Sequence, residues 1–180
     1  MEPDGHRHPP AAARPAVRGH AGIVSTGLLS AALEREHREI DGGIEAFTAG
    51  ATTGVYDDGA LLAALSALRR HIYLEEAFLF PPLRGAGLIM PVMVMEREHG
   101  ELWDLMDTVT DLHDGGAAPA ELVSTCTELL SVLDWHNSKE EPIIYPQADA
   151  ALDDAATANL QEFIASGTTP AGWVCARAGA

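Results

Sequence analysis

Apolar residues recur three and four apart through four long segments of the chain, and no segment sustains the strict alternation of a half-buried strand. In the first, from about Thr26 to Thr48, Leu29, Leu33, Ile40, Ile44 and Phe47 mark one apolar side. Thr52–Asp58 reads as a turn, with Gly54 and two aspartates able to cap the next helix. The second helix spans about Asp58 to Phe80, and Pro81-Pro82 predicts its end because two backbone donors vanish there. Arg84–Leu88 predicts a loop. The third helix begins near Pro91 and ends at Asp114 before Gly115-Gly116. The fourth runs from Pro119 to about Glu141, with Pro142 marking an end or a kink. A shorter helical stretch covers Leu152–Ile164.

Four such helices with short connections predict an all-α fold, an antiparallel up-down four-helix bundle with an additional short C-terminal helix. The bundle and that helix fill residues 25–165. Residues 1–24 hold four prolines, three histidines and no apolar period, and read as a flexible arm. Residues 166–180 read as a loose Gly/Ala tail carrying Cys175.

Inside the helical pattern lies a repeat. Leu33-Glu34-Arg35-Glu36-His37-Arg38-Glu39-Ile40 in the first helix returns as Met95-Glu96-Arg97-Glu98-His99-Gly100-Glu101-Leu102 in the third. His71-Ile72-Tyr73-Leu74-Glu75-Glu76-Ala77-Phe78-Leu79-Phe80-Pro81 returns as His136-Asn137-Ser138-Lys139-Glu140-Glu141-Pro142-Ile143-Ile144-Tyr145-Pro146 in the fourth. The order is the same in each half, so the chain reads as two related helix pairs.

Helix geometry assigns the parts. Residues four apart project side by side, so His71 pairs with Glu75 and His136 with Glu140. Glu76 and Glu141, five along, point about 140° away and are poorer ligands. Glu36 and Glu98 read as solvated, with orientation of a histidine as the alternative. His37 and His99 lie on the apolar seams. Four histidines and two carboxylates therefore meet inside the bundle, where they must pair with one another or share metal.

This set is too large for one tetrahedral zinc and includes no thiolate. It suits two adjacent six-coordinate ions, iron first and manganese second, with zinc in a structural role a weaker option. The His-x-x-x-acid spacing alone is weak, since about one such pair arises by chance in this composition. His37 with Asp41 is a third example. The repeated motifs carry the inference.

At these residues the sequence resembles the hemerythrin-like, HHE cation-binding family, whose pattern is a lone His, then HxxxE, a lone His, then HxxxE. The resemblance covers about residues 26–146. It implies a non-haem di-iron centre held by His37, His71, Glu75, His99, His136 and Glu140, with an oxo or hydroxo bridge. It also implies a small ligand: oxygen, hydrogen peroxide or nitric oxide. Two departures stand out. The oxygen carriers have a fifth His where this chain has Trp103, and their last element is His with Asp five residues on, whereas Glu140 follows His136 by four. Both argue against reversible oxygen carriage and for a reactive or sensing role. The expectation is a di-iron oxidoreductase that consumes peroxide or nitric oxide under oxidative or nitrosative stress. The alternative is a non-catalytic oxygen, redox or iron sensor or storage module. Asp41, Trp103, Tyr73, Tyr145, Phe78 and Ile143 are candidates for the pocket around the centre.

Charge and cysteine content narrow the setting. Eleven Lys and Arg against 27 Asp and Glu give a net charge of −16, which disfavours nucleic acids and anionic membranes. The longest uncharged run, Gly19–Leu33, is fifteen residues and too polar to span a bilayer. Two cysteines, Cys126 and Cys175, do not make a disulfide scaffold, and the expected location is cytoplasmic.

Overall fold

The computed structural model describes residues 28–180, so the arm expected over residues 1–24 lies outside the described residues. The all-α bundle is present. Helix α1 (Leu28–Thr53) is followed by α2 (Asp58–Leu74), α3 (Phe80–Gly85), α4 (Ile89–Asp114), α5 (Pro119–Lys139), α6 (Tyr145–Ala151) and α7 (Asp154–Ser166). Asp57 caps α2 by accepting from the Gly59 N–H at 2.9 Å, and Asp153 caps α7 through Ala156 at 2.8 Å. Gly116, at φ +68°, turns the chain from α4 into α5, a conformation that costs a glycine little. Helix α1 packs on α2 and α5, and α4 packs on α5.

The second and fourth rods of the bundle do not end at their prolines. Glu75–Leu79 and Glu140–Ile144 are single widened π turns, after which α3 and α6 continue each rod. The Phe80 N–H donates to the Glu75 carbonyl and the Tyr145 N–H to the Glu140 carbonyl, each five residues back. A π turn takes up one extra residue and already breaks the regular donor ladder. Pro81 and Pro82 therefore fall in the first turn of α3, where missing donors cost little. The expected stop at Pro81-Pro82 and the loop from Arg84 are corrected accordingly: the helix runs to Gly85.

Two apolar clusters fill the interior. One gathers Ile40, Ile44, Phe47, Leu65, Leu68, Met106, Leu129 and Leu133. The other gathers Leu33, Leu74, Leu79, Phe80, Met95, Ile144, Tyr145 and Phe163. The histidine layer divides them.

The C-terminal residues are packed rather than loose. Trp173 lies against Tyr73 and Trp103, with ring centroids 5.0 and 5.5 Å apart, and Cys175 is buried in the first cluster. The Ala176 N–H donates to Glu76 at 2.8 Å, and the Gly179 N–H to Asp104 at 3.1 Å. This strap crosses α4 at Gly100, where a Cβ would stand 2.6 Å from the Arg177 carbonyl oxygen. Arg70 fastens the approach to it. Its guanidinium donates to the carbonyls of Phe163, Ile164 and Gly167 at the end of α7 and to the Glu36 carboxylate.

Candidate metal centre

The structure brings His37, His71, Glu75, His99, His136 and Glu140 together in one buried layer. They form two overlapping groups of four, His37–His71–Glu75–Glu140 and Glu75–His99–His136–Glu140, each with its ligand atoms within 4.8 Å of one another. Both glutamates are fully buried and belong to both groups. Every imidazole turns Nε2 inward. Those nitrogens approach the shared carboxylates at 3.6 Å for His37, 3.2 Å for His71, 3.3 Å for His99 and 3.1 Å for His136.

Every Nδ1 turns outward onto a different carboxylate. His37 donates to Glu141 at 3.0 Å, His71 to Glu36 at 2.8 Å, His99 to Glu76 at 3.0 Å and His136 to Glu98 at 3.2 Å. In each case the acid comes from a neighbouring rod, so the four contacts close a ring around the bundle: Glu36 on α1 holds His71, Glu76 holds His99, Glu98 on α4 holds His136, and Glu141 holds His37. A carboxylate on Nδ1 fixes the tautomer and leaves the Nε2 lone pair for a metal. Three of the outer acids are tied in turn, Glu36 by Arg70, Glu98 by Lys139 and Glu76 by the Ala176 backbone.

Glu36 and Glu98 are not solvated as expected but orient histidines, the alternative reading, while Glu76 and Glu141 stay outside the ligand groups, as helix phase predicts, and hold the histidine of the next rod. An acid on the far side of its own helix cannot share a metal with the histidine of that helix, but it can reach the histidine of the next. The signal is present in the sequence, because Glu36/Glu98 and Glu76/Glu141 repeat in register with the ligands.

Charge in the layer favours a cation. Burial drives His71 and His136 toward neutrality, yet the charges of Glu75 and Glu140 and hydrogen bonds to carboxylates outweigh it and push both up to about 10. Burial and the neighbouring His71 charge hold His37 below its ordinary value. Glu75 is depressed far below the usual carboxylate range, because its contacts to His71 and His99 overcome the effect of burial. Glu75 Oε2, His99 Nε2 and Glu140 Oε1 are buried without a hydrogen-bond partner. Unpartnered lone pairs of this kind are costly unless an ion takes them. A nitrogen and oxygen donor set without thiolate fits iron or manganese.

The remaining candidates separate. Tyr145 enters the layer, its hydroxyl lying 2.8 Å from His37 Nε2 and 2.9 Å from Glu75 Oε1. Trp103 is buried in the first cluster and packs on Trp173. Tyr73 and Phe78 turn instead toward Phe163. Ile143, in the widened turn, is 51% exposed and does not line the cavity beside the histidines.

Asp41 and Asn137 line a small cavity beside the histidines, closed by Ile40, Leu68, Ile72, Leu102 and Leu133. Burial, with Glu45, Glu141 and Asp134 nearby, pushes Asp41 up to about 6, and its Oδ1 has no partner. A raised carboxyl pKa means the folded state resists ionisation, so the cost appears as pH rises from the unfolded value toward 6 and is complete above it. Asp41→Asn is therefore expected to raise the midpoint of thermal unfolding at about pH 8, with the gain shrinking toward about pH 4. An unchanged midpoint at the higher pH would count against a strained carboxylate.

Comparison with known proteins agrees with this geometry. The chain is similar to proteins named "Iron-sulfur cluster repair protein YtfE". It is 30% identical to that of Enterobacter sp. (strain 638) over 43% of this chain and 40% of the relative. It is 31% identical to that of Escherichia coli O81 (strain ED1a), over 45% and 41%. It is 30% identical to that of Salmonella paratyphi B, over 49% and 44%. The match thus spans less than half the length of these relatives. No solved structure matches significantly. The profile of the hemerythrin HHE cation binding domain matches residues 28–148, which carry all six inward donors, and the chain belongs to that family.

Proposed function

We propose that this chain is a non-haem di-iron protein that binds or reduces a small oxidant: oxygen, hydrogen peroxide or nitric oxide. The observation that carries the reading is the sharing of Glu75 and Glu140 between two histidine pairs. Shared carboxylates of that kind suit two irons side by side, completed by an oxo or hydroxo bridge. Iron in this place supplies a redox-active Lewis acid. The chain's own part is to hold four imidazoles with their Nε2 lone pairs inward, neutralise charge with two buried carboxylates, and keep bulk water from the layer with two apolar clusters.

A place in oxidative or nitrosative stress fits the relatives named for repair of iron–sulfur clusters, since such clusters are what these oxidants damage. A cytoplasmic site of action is part of the proposal, supported by two free, buried cysteines. Among the described residues no helix is long and apolar enough to cross a membrane.

Metal analysis of the purified chain with its visible spectrum tests the reading. The expected result is about two irons per chain with oxo-to-iron charge-transfer bands. One zinc, or no metal, sinks it. Addition of peroxide or nitric oxide then separates the two forms of the proposal. Turnover marks a catalyst, whereas saturable binding without turnover marks a sensor.

A further inference from the structure

Phe80 and Tyr145 stand at equivalent places in the two halves, each five residues after a shared glutamate. On an α-helix that spacing would turn the ring about 140° away from the carboxylate. The widened turn closes on the bond from residue five to residue zero, and so brings both rings back over the histidine layer. Phe80 stacks on His99, with centroids 5.4 Å apart and planes at 16°. Tyr145 carries one atom more, and that atom reaches the cage of His37, His71, Glu75 and Glu140.

The phenol oxygen lies 2.8 Å from His37 Nε2, 2.9 Å from Glu75 Oε1, 3.2 Å from His71 Nε2 and 3.3 Å from Glu140 Oε2. It touches every member of that group. A phenol has a single proton to donate, so these contacts gather more lone pairs than protons, which is the arrangement a cation stabilises. In the other cage, Glu75 Oε2, His99 Nε2 and Glu140 Oε1 have no such partner. There Trp103, one turn beyond His99, packs on Trp173, and an indole has no free lone pair to offer a metal.

We propose that the Tyr145 hydroxyl oxygen is a protein ligand to the ion held by His37, His71, Glu75 and Glu140. The ion at His99 and His136 is then the one left open to an exogenous molecule. The inference rests on the paired-ion reading above. On coordination the O–H bond breaks, an oxygen–metal bond forms, and the proton leaves to solvent with those displaced from the imidazoles. No electron is transferred. The two ions differ by one anionic donor, with the tyrosine side the more electron-rich and the His99 side the stronger Lewis acid.

The test is resonance Raman and visible spectroscopy of the full chain loaded with ferric iron, beside Tyr145→Phe, which restores the residue type of the other half. The wild type is expected to show tyrosinate ring modes and a phenolate-to-iron band. Tyr145→Phe is expected to lose both while remaining folded and keeping most of its iron. Azide, as a small anionic probe, is expected to add its own band without removing the tyrosinate modes. Two irons in the wild type with no tyrosinate signature overturn the tyrosine ligand and leave the di-iron reading intact. Tyrosinate modes with fewer than two irons do the reverse. A chain that takes up no iron overturns both, and azide that abolishes the tyrosinate modes overturns the division of roles between the ions.

Discussion

Glu75→Gln is expected to bring the iron content below one per chain, whereas His37→Ala retains about one. The difference comes from sharing. Glu75 Oε1 lies 3.2 Å from His71 Nε2 and Oε2 lies 3.3 Å from His99 Nε2, so each oxygen serves a different cage. The amide keeps the shape but replaces one oxygen with an N–H donor and removes the charge that both cages use. His37 belongs to one cage alone. Stability is expected to fall as well, by about 3–5 kcal/mol in the absence of metal, because buried imidazolium groups lose their carboxylate partner. Elemental analysis and urea unfolding check the two effects separately. Glu140→Gln should behave alike, since Glu140 is shared in the same way. Two irons retained in Glu75→Gln would refute the sharing.

Gly100→Ala is expected to destabilise the fold by about 1–2 kcal/mol, against the usual direction of this exchange. In the interior of a helix, alanine is ordinarily better than glycine by about 1 kcal/mol. Gly100 lies in α4 immediately after His99, and its Cβ would stand 2.6 Å from the Arg177 carbonyl oxygen and 2.9 Å from the Arg177 Cβ. Backbone on one side and helix on the other leave the C-terminal strap to move. Its displacement loosens Trp173 and Cys175 and stretches the Ala176 contact to Glu76, the acid that holds His99. Gly42 supplies the control, since it is helical and nothing lies within 4 Å of its Cβ. Gly42→Ala should stabilise by up to about 1 kcal/mol. Equal gains from both substitutions in urea unfolding would mean that the strap does not bear on α4.

The six inward donors are legible in the sequence because two motifs repeat, and a repeat sets the phase of each helix against its counterpart. The roles of Glu76 and Glu141 escape the same reading for a definite reason. Helix phase says which residues share a metal with the histidine of the same helix, and it puts Glu76 and Glu141 on the wrong side. The bundle turns that side toward the next rod, where His99 and His37 stand. The prolines mislead differently. Pro81 and Pro142 are incompatible with an uninterrupted α ladder, but a π turn gives up that ladder locally, and nothing in composition separates this outcome from a stop. Cys175 sits in a stretch of glycine and alanine that reads as loose. The clue to its burial is Trp173, a large ring that finds cover against Trp103.

The two widened turns make chain length itself a chemical variable. Inserting one further residue, for example after Pro142, would exceed what a single π turn absorbs and swing everything beyond it by about 100°. Tyr145 would leave its cage, whereas removing one residue would set it four after Glu140 on an ordinary α-helix, about 40° round, and keep it facing the layer. Point changes at position 145 or 80 leave that phase untouched, so hydroxyl and hydrogen can be exchanged there while the ligands stay in place. After a duplication, such a bundle can make its two halves unlike by substitution at these positions, whereas a single-residue insertion in either turn disrupts the layer.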